Sequence, residues 1–308
     1  MVRYIAKRLV FMVIALFVVA TATFFLIQLL PGSPFNDAKL SEAARAQLDA
    51  KYGLDDPLAA QYARYMGNVV QGDLGDSFYF DGRPVTDVIS DRLPVSAFLG
   101  AQALIVGLAV GMPLGIIAAM RHNGFMDYAA VFVSIIGYSV PSFVLGPVMQ
   151  YWIAVKWELL PIAFFESWTH SILPSLALAA IVVATVARFV RAEMLEVLGQ
   201  DYVTLATAKG LSKVAVVYKH VIRNSLIPLV TVIAPLAVAL LTGSLVIEQI
   251  FAVPGLGEQF VTSIRVNDYF MITGLAMFFS VFFIVAVLVQ DILYGVIDPR
   301  IRVSGSEE

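Results

Sequence analysis

"DYVTLATAKGLSKVAVVYKHVIRNSL" occupies Asp201–Leu226 of a 308-residue chain that is 59% apolar. Apart from one segment near the N-terminus, it is the longest polar-helical stretch in the chain. Asp201 can cap a helix through "YVTLATAK", Gly210 suits the left-handed position that ends it, and Ser212 can cap a second helix running to about Val221. A helix of about eight residues is not stable alone in water, so the first one must dock on something. Val203, Ala206 and Gly210 give it a small-residue face, flanked by Tyr202, Leu205 and Lys209. Two dockings fit: insertion into a cleft on a cytoplasmic partner, or a helix lying on the chain's own cytoplasmic end. Either requires that the stretch emerge from something apolar.

Composition supplies that setting. The mean hydropathy is +0.84, and charged residues make up 14% against the quarter or so usual for soluble domains. A water-soluble fold of this size could not hide so much apolar surface, so the chain reads as an integral membrane protein. The net charge of −3 says little about partners. With no cysteine, neither a disulfide framework nor a thiolate metal site is possible. His122, His170 and His220 are widely separated and read as loop or helix-end residues. Arg3, Lys7 and Arg8 precede an apolar run from Leu9 to Leu30, which is longer than a signal-peptide core. It reads as an uncleaved first transmembrane helix.

Crossing the hydrocarbon core takes about 20 mostly apolar residues. Five further stretches qualify: Ala97–Met120, Tyr128–Ile153, Ile172–Val190, Leu226–Ile247 and Phe270–Val289. Basic residues of the short connectors cluster on one side: Arg121 after the second span, Arg188, Arg191, Lys209, Lys213, Lys219 and Arg223 around the fourth and fifth, and Arg300 and Arg302 after the sixth. The other side has Lys156 and Arg265. The positive-inside bias therefore predicts both termini in the cytoplasm and the long 31–96 segment outside. That segment reads as a small folded subdomain. Ser41 can cap a helix that Gly53 ends, Asp56–Pro57 can start another through "LAAQYARYMGNVV", and Asp81–Gly82 is a turn signal before Val85. It serves either as a cap on the membrane domain or as a gate or docking surface for an outer partner.

The spans read as nearly free of charge, with no acid placed for ion coupling, which weighs against a secondary carrier. Gly107, Gly111 and Gly115 recur every four residues along one helical face and permit close helix approach. They fit a static, tightly packed bundle or one that rearranges around a pore. Pro113, Pro141, Pro147 and Pro235 predict kinks.

At this point the residues resemble a known family. "DYVTLATAKGLS" followed by "VVYKHVIRNSLIP" resembles the cytoplasmic coupling loop of ABC importer permeases, with Gly210 at the motif's central glycine. The motif's leading acidic residue is replaced by Thr204. "LLPGSPF" (29–35), "KYGLDDPLAAQYARYMGNVVQGDLGDSF" (51–78), "GYSVPSFVLG" (137–146) and "EQIFAVPGLGEQF" (248–260) are similar to the first permease subunit of the oligopeptide/dipeptide branch. The resemblance implies an all-α membrane protein with six transmembrane helices of the ABC importer permease type in a prokaryotic cytoplasmic membrane. An extracytoplasmic subdomain lies between helices 1 and 2, and a coupling helix between helices 4 and 5. The implied parts are the N-terminus and first helix (1–30), the subdomain (31–96), the core (97–295, coupling loop 197–224) and a cytoplasmic tail (296–308).

It further implies a pore-forming subunit that takes short peptides from an extracytoplasmic peptide-binding protein. Its other partners would be a second homologous permease, two ABC ATPase subunits that carry ATP and Mg, and membrane lipid, with no nucleic acid. Its coupling loop would present Tyr202, Leu205, Ala206, Ala208, Lys209, Gly210 and Leu211. Pro141, Phe143, Glu248, Phe251, Pro254, Gly255 and Gly257 would border the pore or external gate, and Gly107, Gly111 and Gly115 would pack helices. Other small-solute importers of the same family, nickel importers among them, share this pattern, and an ATP-independent channel or carrier is the reading from another class. No G-x-x-x-x-G-K-[ST] phosphate loop occurs in the sequence, so ATP, if used, binds another chain and this subunit needs no cofactor of its own. Neither G-x-S-x-G nor H-E-x-x-H occurs either, and a membrane enzyme has little support.

The charge distribution makes a direct prediction. A reporter fused at Arg302 should be accessible from the cytoplasm and one inserted near Asp56 from outside; protease access to the Asp56 region from the cytoplasmic side alone would reverse the orientation.

Overall fold

A computed structural model describes residues 2–29, 43, 46, 47, 50 and 52–297. In chain order the helices are α1 (Val2–Ile27), α2 (Leu58–Gln71), α3 (Val85–Met120), α4 (Phe125–Ser139), α5 (Ser142–Met149), α6 (Ile172–Leu198), α7 (Asp201–Ala208), α8 (Lys213–Val216), α9 (Arg223–Leu226), α10 (Leu229–Leu241), α11 (Leu245–Ile250), α12 (Leu256–Arg265) and α13 (Tyr269–Ile297). Gln150–Lys156 continues α5 as a wider π-helix, and Val217–Ile222 does the same between α8 and α9. Among the described residues there is no strand, only an isolated bridge between Asp76 and Pro84. Five helical stretches are long and apolar enough to cross a membrane: Arg8–Ile27, Val85–Met120, Trp168–Leu198, Leu229–Ile250 and Tyr269–Gln290. The pair Phe125–Ser139 and Ser142–Lys156 makes a sixth if counted as one bent span. The helix expected from Ser41 to Gly53 and the basic pair Arg300 and Arg302 lie largely or wholly outside the described residues.

The chain divides into two compact units, and α3 and α13 contribute to both. The first unit comprises Met1–Pro94 and Gly255–Ile284. Here α1 meets α2 through aromatic edges, with Phe24 5.3 Å from Tyr62 and 5.5 Å from Tyr65, and with Thr21 hydrogen-bonded to Tyr62 at 2.8 Å. Burial, with Tyr62 adding to it, pushes the Tyr65 phenol up to about 12, so it stays neutral. Buried Asp268 receives the Ser77 hydroxyl and the backbone N–H groups of Phe78 and Tyr79 at 3.2 Å each, and that of Met271 at 3.3 Å. One carboxylate thus caps α13 and fastens the 77–79 loop to it. Arg92 pairs with Glu258 at 2.7 Å in the same unit.

The second unit comprises Val95–Pro254 and Val285–Glu308, and α6 runs through its core. Leu173, Ala177, Val182, Val186, Val190 and Met194 are all buried. The glycine ridge of α3 faces this helix. A Cβ on Gly107 would sit 2.4 Å from Val182, one on Gly111 3.0 Å from the Val183 carbonyl, and one on Gly115 2.6 Å from the Ala187 carbonyl. Across α4, Gly137 approaches the Ala180 carbonyl to 2.9 Å by the same measure. Small residues therefore set the spacing on two sides of α6.

Several elements differ from the sequence expectation. The helix of the second span starts at Val85, twelve residues before the expected Ala97, and runs through Pro94 without a break. The expected Tyr128–Ile153 span is bent by 100° rather than kinked. Pro141 lacks an N–H, and steric conflict with it pushes Val140 to an extended conformation (ψ 113°), so the helix stops and restarts. Each limb has 15 residues, about 22 Å at the α-helical rise, so neither alone reaches across the ~30 Å hydrocarbon core. The short helix expected to end near Val221 instead continues through the π-helical turn and α9 to Leu226. The fifth span breaks at Gly243 (φ 95°) and continues to Ile250.

The packing predicts a pair of opposite effects. Gly107→Ala should lower thermal stability in detergent by about 1–3 kcal/mol, since a methyl group cannot enter the α3–α6 contact without moving backbone. Gly67→Ala, where a Cβ has nothing within 4 Å, should raise it by about 0.5–1 kcal/mol through helix propensity. Melting curves of the two purified variants check the signs.

Candidate functional site

The α7 stretch is built by its two ends. Gln200, extended at ψ 147°, begins the helix, and its carbonyl accepts from Val203 and Thr204 at 3.0 and 3.2 Å. Asp201 is thus the first helical residue, not the cap expected from the sequence, and its charge still favours the positive helix start. At the other end Gly210 has φ 83° and is surrounded by open space. Its N–H reaches the Thr207 carbonyl at 3.0 Å, Leu211 reaches Ala206 at 3.4 Å, and Ser212 accepts from Ala215 at 3.3 Å to start α8.

Of the two dockings, the small-residue face makes the one onto the chain itself. Val203 and Ala206 are buried within the same core as Met194, Val216 and Val221, so the small-residue face docks on this chain itself. The reason is the length argument turned inward: a helix this short borrows stability from the nearest apolar surface, which is its own. Leu211 packs against that core too. Exposed are Leu205 at 56%, Tyr202 at 42%, and Ala208, Lys209 and Gly210. Two residues missed by the sequence reading extend this surface: Val214 and Tyr218, exposed at 71% and 74%. The signal for them was apolar residues spaced i, i+4 beside Lys219 on a segment read as polar. Tyr202 accepts from the Asn224 amide at 3.1 Å, which ties α7 to α9.

A second constellation corrects the expectation of acid-free spans. Glu248 lies in α11, inside the Leu229–Ile250 stretch, and is 1% exposed. It accepts the Ser96 hydroxyl at 2.8 Å and the Ser244 N–H at 3.3 Å, while the Ser244 hydroxyl accepts from Ile247 at 3.3 Å. The carboxylate therefore closes the backbone break at Gly243 and joins α11 to α3. Buried Asp127 likewise accepts two bonds from Arg191, at 2.5 and 2.9 Å, and further bonds from the Asn123 N–H at 2.9 Å and His122 at 3.1 Å. It holds the α3–α4 turn to α6. Among the described residues no group of three His, Asp or Glu side chains is placed to hold a metal ion.

The expected gate residues separate by environment. Pro141 and Phe143 are exposed, at the bend between α4 and α5. Phe251 is buried within 3.2 Å of the Cβ position of Gly146, and its carbonyl accepts from Phe164 at 2.7 Å. Pro254 ends the longer segment of the second unit, while buried Gly255 and Gly257 belong to the first.

Residues 111–303 match the model of binding-protein-dependent transport system inner membrane components, and residues 1–100 match that of the N-terminal part of such components. The chain belongs to this family. The permease is 45% identical to the dipeptide transport system permease protein DppB of Lactococcus lactis subsp. cremoris over 302 residues, 98% of this chain and 100% of that one. It is 43% identical to DppB of Bacillus subtilis over 303 residues, covering 98% of each chain. The glutathione transport system permease protein GsiC of Escherichia coli is 40% identical over 309 residues, covering 98% of this chain and 99% of that one. Its fold matches a chain of the inward-facing MetNI methionine ABC transporter with a TM-score of 0.59 at 16% identity, covering 69% of the permease and 97% of that chain. The permease is thus an all-α, multi-pass inner membrane component of the ABC importer permease type.

The two faces of α7 predict separable phenotypes. Ala206→Glu forces a carboxylate into a packed apolar site and should destabilise the isolated permease, whereas Leu205→Glu should leave its melting temperature unchanged. Thermal denaturation of both variants in detergent measures the difference.

Proposed function

We propose that this permease is the pore-forming subunit that carries short peptides across the cytoplasmic membrane of a prokaryote. The observation that carries the reading is the end-to-end match, over 98% of the chain, to dipeptide transport permeases. The glutathione permease supports the same substrate class, since glutathione is itself a short peptide. Both termini face the cytoplasm, and the segment before α3 faces outward, where a peptide-binding protein delivers its load. A second, homologous permease completes the pore, and two ATPase subunits bind the ATP and Mg.

On this reading α7 is the lever. Tyr202, Leu205, Ala208 and Lys209, with Val214 and Tyr218 beyond the turn, meet a cleft of the ATPase, while Val203 and Ala206 transmit its movement into the core of the permease. A rigid attachment suits that task better than a free insert, because both ends of the contact must move together. Gly210 sets the angle between α7 and α8, and any side chain there costs roughly 1 kcal/mol or more of backbone strain. Phe143 at the α4–α5 bend faces the passage, and Glu248 and Phe251 stiffen the wall behind it.

The test is the reconstituted importer, with labelled dipeptide uptake and binding-protein-stimulated ATP hydrolysis measured together. Leu205→Glu and Gly210→Val should each assemble with the second permease yet lose most coupled uptake, with Lys209→Ala milder because an exposed ion pair is worth about 0–1 kcal/mol. Full coupled activity in both severe variants overturns the lever, and peptide transport by the lone chain without ATPases overturns the ABC assignment.

A further inference from the structure

The three tryptophans of this chain, Trp152, Trp157 and Trp168, fall within 17 residues of sequence. They are 50%, 59% and 68% exposed. Trp152 and Trp157 stand on and just beyond the π-helical turn that ends the bent α4–α5 pair, and Trp168 opens the 3-10 turn that leads into α6. With the bent pair counted as one span, it and the Trp168–Leu198 stretch are joined by the short 158–167 loop and end on the same side, which puts the three indoles at one boundary of the apolar zone. Tyr151 lies 5.4 Å from Trp152, and Lys156 holds its ammonium 5.6 Å from the Tyr151 ring.

The frame beneath these rings is fixed. The Gln150 amide donates to the Ile162 carbonyl at 2.8 Å and to that of Ile250 at 3.3 Å. Phe164 donates from its backbone to Phe251, and Ser171 to the Trp168 carbonyl at 2.6 Å. An ordered loop that holds indoles outward is not a loop waiting to collapse onto its own core.

We propose that residues 150–168 form a bilayer-boundary anchor, with the three indoles at the junction of lipid headgroups and acyl chains. The chemistry fits that zone and no deeper or shallower one. An indole has a broad apolar face that favours hydrocarbon and an N–H that requires a polar partner, so it settles where one end is dry and the other wet. Lys156 reaches headgroup phosphates from the same turn by extending its apolar stem along the aromatic surface. Exposed apolar residues flank the indoles, Val155 at 48%, Leu159 at 69% and Ile162 at 49%, and the occupant is the bilayer. With the boundary pinned here, the bend at Pro141 lies at a fixed depth.

Because the three tryptophans are confined to this segment, selectively excited tryptophan fluorescence of the chain reports on it alone. The full chain is placed in bilayers whose lipids carry bromine either near the headgroup or near the chain terminus, with iodide as an aqueous quencher. The same measurement is made on the assembled importer, as the difference from an importer whose chain carries Trp152→Phe, Trp157→Phe and Trp168→Phe. Shallow bromine should quench about twofold more than deep bromine in both preparations, as interfacial indoles require. Shallow quenching of the chain alone that disappears in the importer means a protein partner occupies the surface and overturns the proposal. Dominant iodide quenching, or equal quenching at both depths, overturns it as well.

Discussion

Hydrocarbon offers no hydrogen bonds, so every interruption of a helix within it must be closed by the protein itself. The break at Gly243 shows how this is done here. Ser244 caps the new helix through its hydroxyl, its own N–H goes to Glu248, and the Glu248 carboxylate is bound in turn by Ser96 from α3. A buried acid of this kind is tolerated when hydrogen bonds replace the lost water, and here one carboxylate oxygen accepts both of these bonds. The position of α11 against α3, and with it the burial of Ile247 and Phe251, follows from that closure.

Around α6 the governing constraint is distance instead of polarity. Glycines on α3 and α4 let backbones approach until carbonyl oxygens stand where a Cβ would otherwise be. Such contacts are specific in a medium where one apolar surface is as good as another. The Asp127–Arg191 pair then fixes the rotation of α6 relative to the turn before α4, and its bidentate geometry makes lysine a poor substitute for the arginine. Cutting either partner of such a pair typically costs about 3–5 kcal/mol.

Much of this was legible in the sequence because the signals are local or compositional. Apolar runs marked the spans, the glycine spacing marked a close-packing face, and Gly210 marked a left-handed helix end. What escaped depended on partners far along the chain. The sequence shows Glu248 as a polar residue at the edge of a span; only the fold brings Ser96 to it across 152 positions. Ala206 and Leu205 look equally available on a short helix, and which one is buried depends on where Met194 and Val221 lie. Proline at 141 announced a disturbance, but not its angle, since a kink and a 100° bend begin with the same missing N–H. The family resemblance carried the assignment of transport, which no spacing of residues expresses.

The division of the chain has a consequence for its biosynthesis. The first unit is assembled from Met1–Pro94 and Gly255–Ile284, with the greater part of the second unit encoded between them. At about 5–20 residues per second a ribosome needs roughly 10–30 s to make the intervening stretch. Throughout that interval Ser77 and Arg92 are already emerging while Asp268 and Glu258 have yet to be translated. Neither unit can finish before the last helix arrives, because α13 supplies residues to both. A message truncated ahead of Gly255 therefore lacks part of each unit. In such a chain Ser77 and Arg92 have no Asp268 or Glu258 to meet, so the interleaved order of segments ties closure of the first unit to translation of the last helices.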